Sequence, residues 1–115
     1  MVIEMPAPQS PDRLVVLIDD DALVRMNWKM VALTKGINLK IFSGPADFLA
    51  AAEGLPISTA IYLDSDLGIG IRGEDFAKDL KEKGFFYLHL ETGHPAGAFS
   101  HLPWLKVAGK EPPWN

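Results

Sequence analysis

Two acidic clusters close two short apolar runs in this 115-residue chain. Asp19-Asp20-Asp21 follows Leu14-Val15-Val16-Leu17-Ile18, and Asp64-Ser65-Asp66 follows Ala60-Ile61-Tyr62-Leu63. Short runs of this kind read as buried strands of a parallel sheet. Open α/β sheets bind ligands at the carboxyl ends of their strands, where the strand order reverses. If both runs are neighbouring central strands, their terminal aspartates converge on one small site. Carboxylates packed together repel and resist ionising unless a cation joins them. An all-oxygen set of this type predicts a hard divalent metal, Mg²⁺.

The elements that must position these residues alternate along the chain. Strand one is Leu14–Ile18, followed by a helix with Asp21 as N-cap and Gly36 ending it after Lys35. Strand two covers Asn38–Phe42. Ser43-Gly44-Pro45 then supplies an N-cap and an early helical proline for a short helix to about Glu53, closed by Gly54. Strand three is Ala60–Leu63. A loop with Gly68 and Gly70 leads to a third helix from Gly73 through Lys83, with Phe76, Ala77 and Leu80 on one face. Glu74/Lys78 and Asp79/Lys83 are expected as i,i+4 pairs on its solvated face. Strand four is Phe86–Leu90, with His89 read as structural. Ala96–Leu102 is expected as a brief helix and Trp104–Ala108 as a fifth strand. Alternating β and α elements with short joints imply a parallel sheet with right-handed crossovers. The expected architecture is a flavodoxin-like doubly wound sheet, order 2-1-3-4-5, with a reduced fourth helix and no fifth helix.

Composition narrows the function classes. Residues 13–115 suffice for one domain with a single core, preceded by a proline-marked extended arm or linker over residues 1–12. No apolar run approaches a transmembrane length, and no signal-peptide pattern opens the chain, so no membrane insertion is expected. The absence of Cys excludes thiolate nucleophiles and zinc-thiolate sites, and fits a reducing compartment. A net charge of −4 with scattered Lys and Arg argues against a nucleic-acid groove. His94 and His101 lack metal-ligand spacing. A cytoplasmic domain is expected.

From Leu14 to Pro113 the chain resembles the receiver domains of two-component response regulators, in the CheY-like superfamily. The pair Asp19-Asp20 follows strand one, and Asp64 ends strand three at the separation typical of receivers. Thr92 follows strand four in Leu90-Glu91-Thr92-Gly93, and Lys110 follows strand five with proline close behind. The ending Gly109-Lys110-Glu111-Pro112-Pro113-Trp114 is similar to a C-terminally shortened subgroup, often appended to sensor kinases.

The resemblance implies a phosphoacceptor that takes a phosphoryl group from a phosphohistidine onto Asp64. Asp20 and Asp64 would ligate Mg²⁺ directly, Asp66 would add its backbone carbonyl, and Asp19 would act mainly through a metal-bound water. Lys110 would pair with a phosphoryl oxygen as a point charge, and the Thr92 hydroxyl would donate to another. Asp66 and His94, flanking the reacting residues, would tune the lifetime of the acyl phosphate. The implied partner is a sensor histidine kinase or a histidine phosphotransfer protein. Such a domain is not a turnover enzyme; it assists its own phosphorylation and slow autodephosphorylation. With no fifth helix, the flank of helix one is expected to be bare and apolar, giving a homodimer or a kinase contact with Trp28 near it.

Departures from the receiver pattern fall on the face that receivers remodel. Gly68 stands where proline is usual, and the loop before Gly73 is one residue longer. The Thr92–Lys110 interval is short, Val107 replaces a frequent aromatic, and Glu111 separates Lys110 from Pro112. Two alternatives therefore stand beside the receiver reading. One is a pseudo-receiver that binds partners without phosphorylation. The other is a phosphatase of the haloacid-dehalogenase type, whose DxD motif Asp64-Ser65-Asp66 resembles. That family carries its motif on the first strand, with its second acidic pair downstream; here the pair lies upstream.

Overall fold

The structure is a computed structural model that describes residues 14–68, 70–93 and 96–114. The expected N-terminal arm and His94 lie outside the described residues. Five parallel strands run β1 (Leu14–Ile18), β2 (Asn38–Phe42), β3 (Ala60–Asp64), β4 (Tyr87–Glu91) and β5 (Lys106–Ala108), in the order 2-1-3-4-5. The helices are α1 (Ala22–Lys35), α2 (Pro45–Ala52) and α3 (Gly73–Glu82). The fourth crossover contains a single 3₁₀ turn over Ala96–Phe99, and no helix follows β5 among the described residues. The flavodoxin-like architecture is present, with the reduced fourth helix expected from the short Thr92–Lys110 interval.

Local chemistry sets the helix ends. The Asp21 side chain accepts from the Leu23 N–H and caps α1, and Gly36 closes it in the left-handed region at φ 71°. Helix α2 differs from expectation at its start. Gly44 is the cap residue, and the Ser43 hydroxyl instead donates to Asp47 Oδ2 at 2.6 Å. Helix α3 buries Phe76, Ala77 and Leu80 as its periodicity predicts. Its Glu74 corrects the sequence reading: this side chain is buried and paired with Arg72, two residues upstream, and does not lie on a solvated face.

Strand alternation divides the core between the two faces of the sheet. One face holds Val16, Ile18, Ile61, Leu63, Leu88 and Leu90 against α2 and α3, with Phe48 edge-on to Phe42, Phe76 and Phe85. The opposite face receives Trp28 of α1, which is fully buried. Its ring packs against Tyr62 at 5.2 Å and against Trp114 at 5.3 Å, while Tyr62 stacks on His89 at 4.2 Å. Its indole N–H donates to the Lys110 backbone carbonyl at 3.0 Å.

The aromatic ladder covers the strip of sheet next to α1, and it corrects the expected place of Trp28. The C-terminal tail folds over this side chain, so it is not a surface contact. The exposed apolar residues of α1 are Leu23, Met26, Met30 and Leu33, on the face pointing away from the sheet.

Candidate functional site

Register carries the site residues into one row. Ile18 pairs with Leu63, which sets Asp19 beside Asp64 one residue later. Asp64 pairs with Glu91, and Glu91 with Ala108. The ends of four adjacent strands therefore present Asp19, Asp64, Glu91 and the segment leading to Lys110. This is the edge at which open α/β sheets place their ligand sites.

Backbone contacts fix the row. The Asp19 N–H donates to the Phe42 carbonyl, extending the β1–β2 ladder by one bond, and the Arg25 guanidinium donates to the Asp19 carbonyl at 2.7 Å. At the end of β3, Ser65 N–H donates to the Glu91 carbonyl, and the Ser65 carbonyl accepts from Gly73 N–H. Gly73 has no room for a side chain, because a Cβ there would collide with the Asp64 carbonyl. The absence of a Cβ thus lets the first turn of α3 pack directly on the backbone of Asp64.

Lys110 sits at the centre of the charges. Its Nζ lies 2.7 Å from Asp64 Oδ1, 3.6 Å from Asp19 Oδ2 and 3.7 Å from Glu91 Oε1. Asp19 and Glu91 are fully buried and Asp64 nearly so, whereas Asp20 is exposed at the rim. Burial raises the Asp64 carboxyl above its ordinary value; Lys110 opposes the rise and Asp19 adds to it. Burial also disfavours the Lys110 ammonium, yet the Asp64 hydrogen bond and the surrounding carboxylates outweigh it, and its pKa rises.

Glu91 is the buried acid of this row that the sequence reading missed. Burial, reinforced by the neighbouring Asp19 carboxylate, pushes it up to about 10. It therefore holds its proton at neutral pH. With Glu91 ionised, its two buried oxygens and Asp19 Oδ2 would have no hydrogen-bond donor among the described residues. A protonated Glu91 resolves this conflict, since its hydroxyl can donate to Asp19. The available signal was register: an acid that ends one strand opposite an acid that ends the next.

The other expected residues fall as follows. Carboxylate oxygens of Asp19, Asp20 and Asp64 lie within 4.8 Å of one another, a spacing that one cation can span. The donor set is all oxygen and two of its three carboxylates are buried, so these residues fit a hard divalent ion. Asp66 stands outside this trio. Its carboxylate is exposed and accepts from the Gly68 N–H at 3.0 Å, leaving only its backbone carbonyl for the expected role. Gly68 is held at φ 82°, and a Cβ there would approach Asp20 Oδ2 to 3.2 Å. Proline, with φ fixed near −65°, cannot adopt that conformation. Thr92 is buried at the end of β4, with its N–H on the Ala108 carbonyl, and its hydroxyl accepts from Ser65 Oγ at 3.0 Å. No helix among the described residues is long and apolar enough to cross a membrane. No protein-family profile, no curated protein and no solved structure matches the chain.

Proposed function

We propose that this chain is a cytoplasmic receiver domain of two-component signal transduction, with Asp64 as phosphoacceptor. One observation carries the reading: two strand-end aspartates converge on Asp64 while a lysine from the end of the sheet contacts its carboxylate at 2.7 Å. Phosphoryl transfer asks for positioning and charge neutralisation more than for covalent help, and this arrangement supplies both.

In this reading an Asp64 carboxylate oxygen forms the bond to phosphorus as the P–N bond of a phosphohistidine breaks. The electron pair leaves on the imidazole nitrogen, which takes a proton from solvent. Lys110 opposes the rise that burial imposes on the Asp64 carboxyl before transfer and neutralises phosphoryl charge after it. Thr92 donates its hydroxyl hydrogen to a phosphoryl oxygen. Asp19, Asp20 and Asp64, with the Asp66 carbonyl, would hold Mg²⁺, which supplies further neutralisation of the transferring group. The donor would be a histidine kinase or phosphotransfer protein. The exposed stripe Leu23, Met26, Met30 and Leu33 begins two residues past the acidic rim and offers a helical partner an apolar seat.

A pseudo-receiver remains the second reading, favoured by one observation. Lys110 and a protonated Glu91 already relieve much of the carboxylate repulsion without any cation. Incubation with a small-molecule phosphodonor and Mg²⁺, followed by intact mass, separates the readings. One labile phosphoryl addition supports the receiver, sustained release of phosphate a phosphatase, and no reaction a pseudo-receiver.

A further inference from the structure

The core tryptophan of α1 carries one polar atom, and its partner is the backbone of the lysine at the site. Trp28 is fully buried, and a buried indole N–H calls for an acceptor. It donates to the Lys110 carbonyl at 3.0 Å, across 82 residues of sequence. An indole N–H can only donate, so the sense of this bond is fixed. The same ring packs on Tyr62 at 5.2 Å, and Tyr62 lies in β3 two residues before Asp64. One side chain therefore touches both the strand that ends in Asp64 and the backbone that carries the lysine facing it.

Lys110 needs such an anchor. Strand β5 ends at Ala108, whose carbonyl accepts from the Thr92 N–H, so the sheet holds the chain up to that point. Gly109 follows, exposed, with nothing within 4 Å of where a Cβ would stand. Glycine leaves the backbone its widest freedom, and the lysine side chain adds a long flexible stem. No helix follows β5 among the described residues to take up the tail. Yet the Lys110 Nζ sits 2.7 Å from Asp64 Oδ1, with Asp19 and Glu91 at 3.6 and 3.7 Å. The indole bond fixes the chain just past the glycine. Its ring cannot turn to follow a moving tail, because Tyr62 and Trp114 both pack against it.

We propose that Trp28 is a positioning residue that holds the Lys110 ammonium against the Asp64 carboxylate by pinning the Lys110 backbone. Trp28 touches neither charge and acts only through Lys110. The consequence for phosphoryl transfer rests on the receiver reading, whereas the positioning itself does not.

The test replaces Trp28 with benzothienylalanine, whose sulfur stands in place of the indole N–H, so that the donor goes while the shape stays. Trp28→Phe, also without the donor, serves as the second variant. In the parent, the Lys110 ammonium should give a slowly exchanging ¹H–¹⁵N signal at low temperature, absent from Lys110→Ala. Both variants should lose or broaden that signal and leave those of the other lysines in place. With beryllium fluoride and Mg²⁺ as an acyl-phosphate mimic, both should bind about fivefold more weakly, the ratio carried by a hydrogen bond of ordinary net strength. In a Lys110→Ala background the same replacements should not weaken binding further, although their cost in urea unfolding persists.

An unchanged Lys110 signal in a folded variant, or no such signal in the parent, would overturn the anchor. Equal losses of affinity with and without the Lys110 ammonium would overturn it too, by reducing Trp28 to a structural role. If the parent fails to bind beryllofluoride, or Asp64→Asn binds it equally well, the receiver reading falls. The ammonium signal then still decides the anchor, as it does if Lys110→Ala binds too weakly to titrate.

Discussion

Replacing Glu91 with Gln should stabilise the protein, increasingly so as the pH rises. Glu91 titrates at an ordinary value of 4.5 in the unfolded chain and at about 10 in the folded one. Between those limits the folded state keeps a proton that the unfolded state releases. The sign follows from linkage: where the unfolded state binds fewer protons, stability falls as pH rises. Glu91 thus contributes no penalty below pH 4.5 and a growing one above it, at about 1.4 kcal/mol per pH unit for one proton.

At pH 7.5 the ceiling on this penalty is about 4 kcal/mol, and relaxation of the buried carboxyl brings an effective value of about 2 kcal/mol into view. Gln has the same shape, keeps a donor for Asp19 and releases no proton, so the variant escapes the slope. Urea unfolding of both proteins from pH 5 to pH 9 with a chelator present would measure the difference. The curves should diverge steadily with pH, because every other group titrates alike in the two proteins. Parallel curves, or a variant less stable at pH 8 than at pH 5 relative to the parent, would refute the protonated Glu91.

Three further outcomes follow from the geometry. Mg²⁺ titration followed by NMR shifts should saturate, and Asp20→Asn should weaken binding about tenfold or more, since a carboxylate ligand becomes a neutral amide; unchanged affinity would remove Asp20 from the site. Gly73→Ala should destabilise the fold by about 1–3 kcal/mol, because the new methyl collides with the Asp64 carbonyl, and thermal unfolding with no loss would show that α3 shifts freely. Trp28→Ala should cost about 3–5 kcal/mol, since it empties a fully buried site between Tyr62 and Trp114, and a change in self-association without a change in stability would restore Trp28 to the surface.

The sheet was legible because its signals are local. The two central strands β1 and β3 are short apolar runs, and Asp21, Gly36 and Gly73 mark helix ends through capping or close approach. From there the parallel order brings Asp19 and Asp20 to Asp64 without any long-range information. Glu91 was not legible, because an acid at a strand end next to a hydroxyl and a glycine reads as the start of a loop. Its role emerges only once β3 and β4 align Asp64 with Glu91.

The placement of Trp28 failed for a related reason. Helix α1 is apolar on two sides, with Trp28 and Ala32 inward and Leu23, Met26, Met30 and Leu33 outward. Periodicity alone does not say which side the sheet takes. The partner that decides it, Trp114, lies far along the chain. Glu74 escaped because Arg72 lies outside the helix, where i,i+4 reasoning does not look.

Asp64 as phosphoacceptor is the central claim. Its most direct test is intact mass of the parent and of Asp64→Asn after incubation with a small-molecule phosphodonor and Mg²⁺, with peptide mapping of any labelled species. One labile phosphoryl group is expected on the parent, mapped to Asp64, and none on a variant that remains folded. Labelling that persists in Asp64→Asn, that maps to Asp66, or that never appears on the folded parent would contradict it.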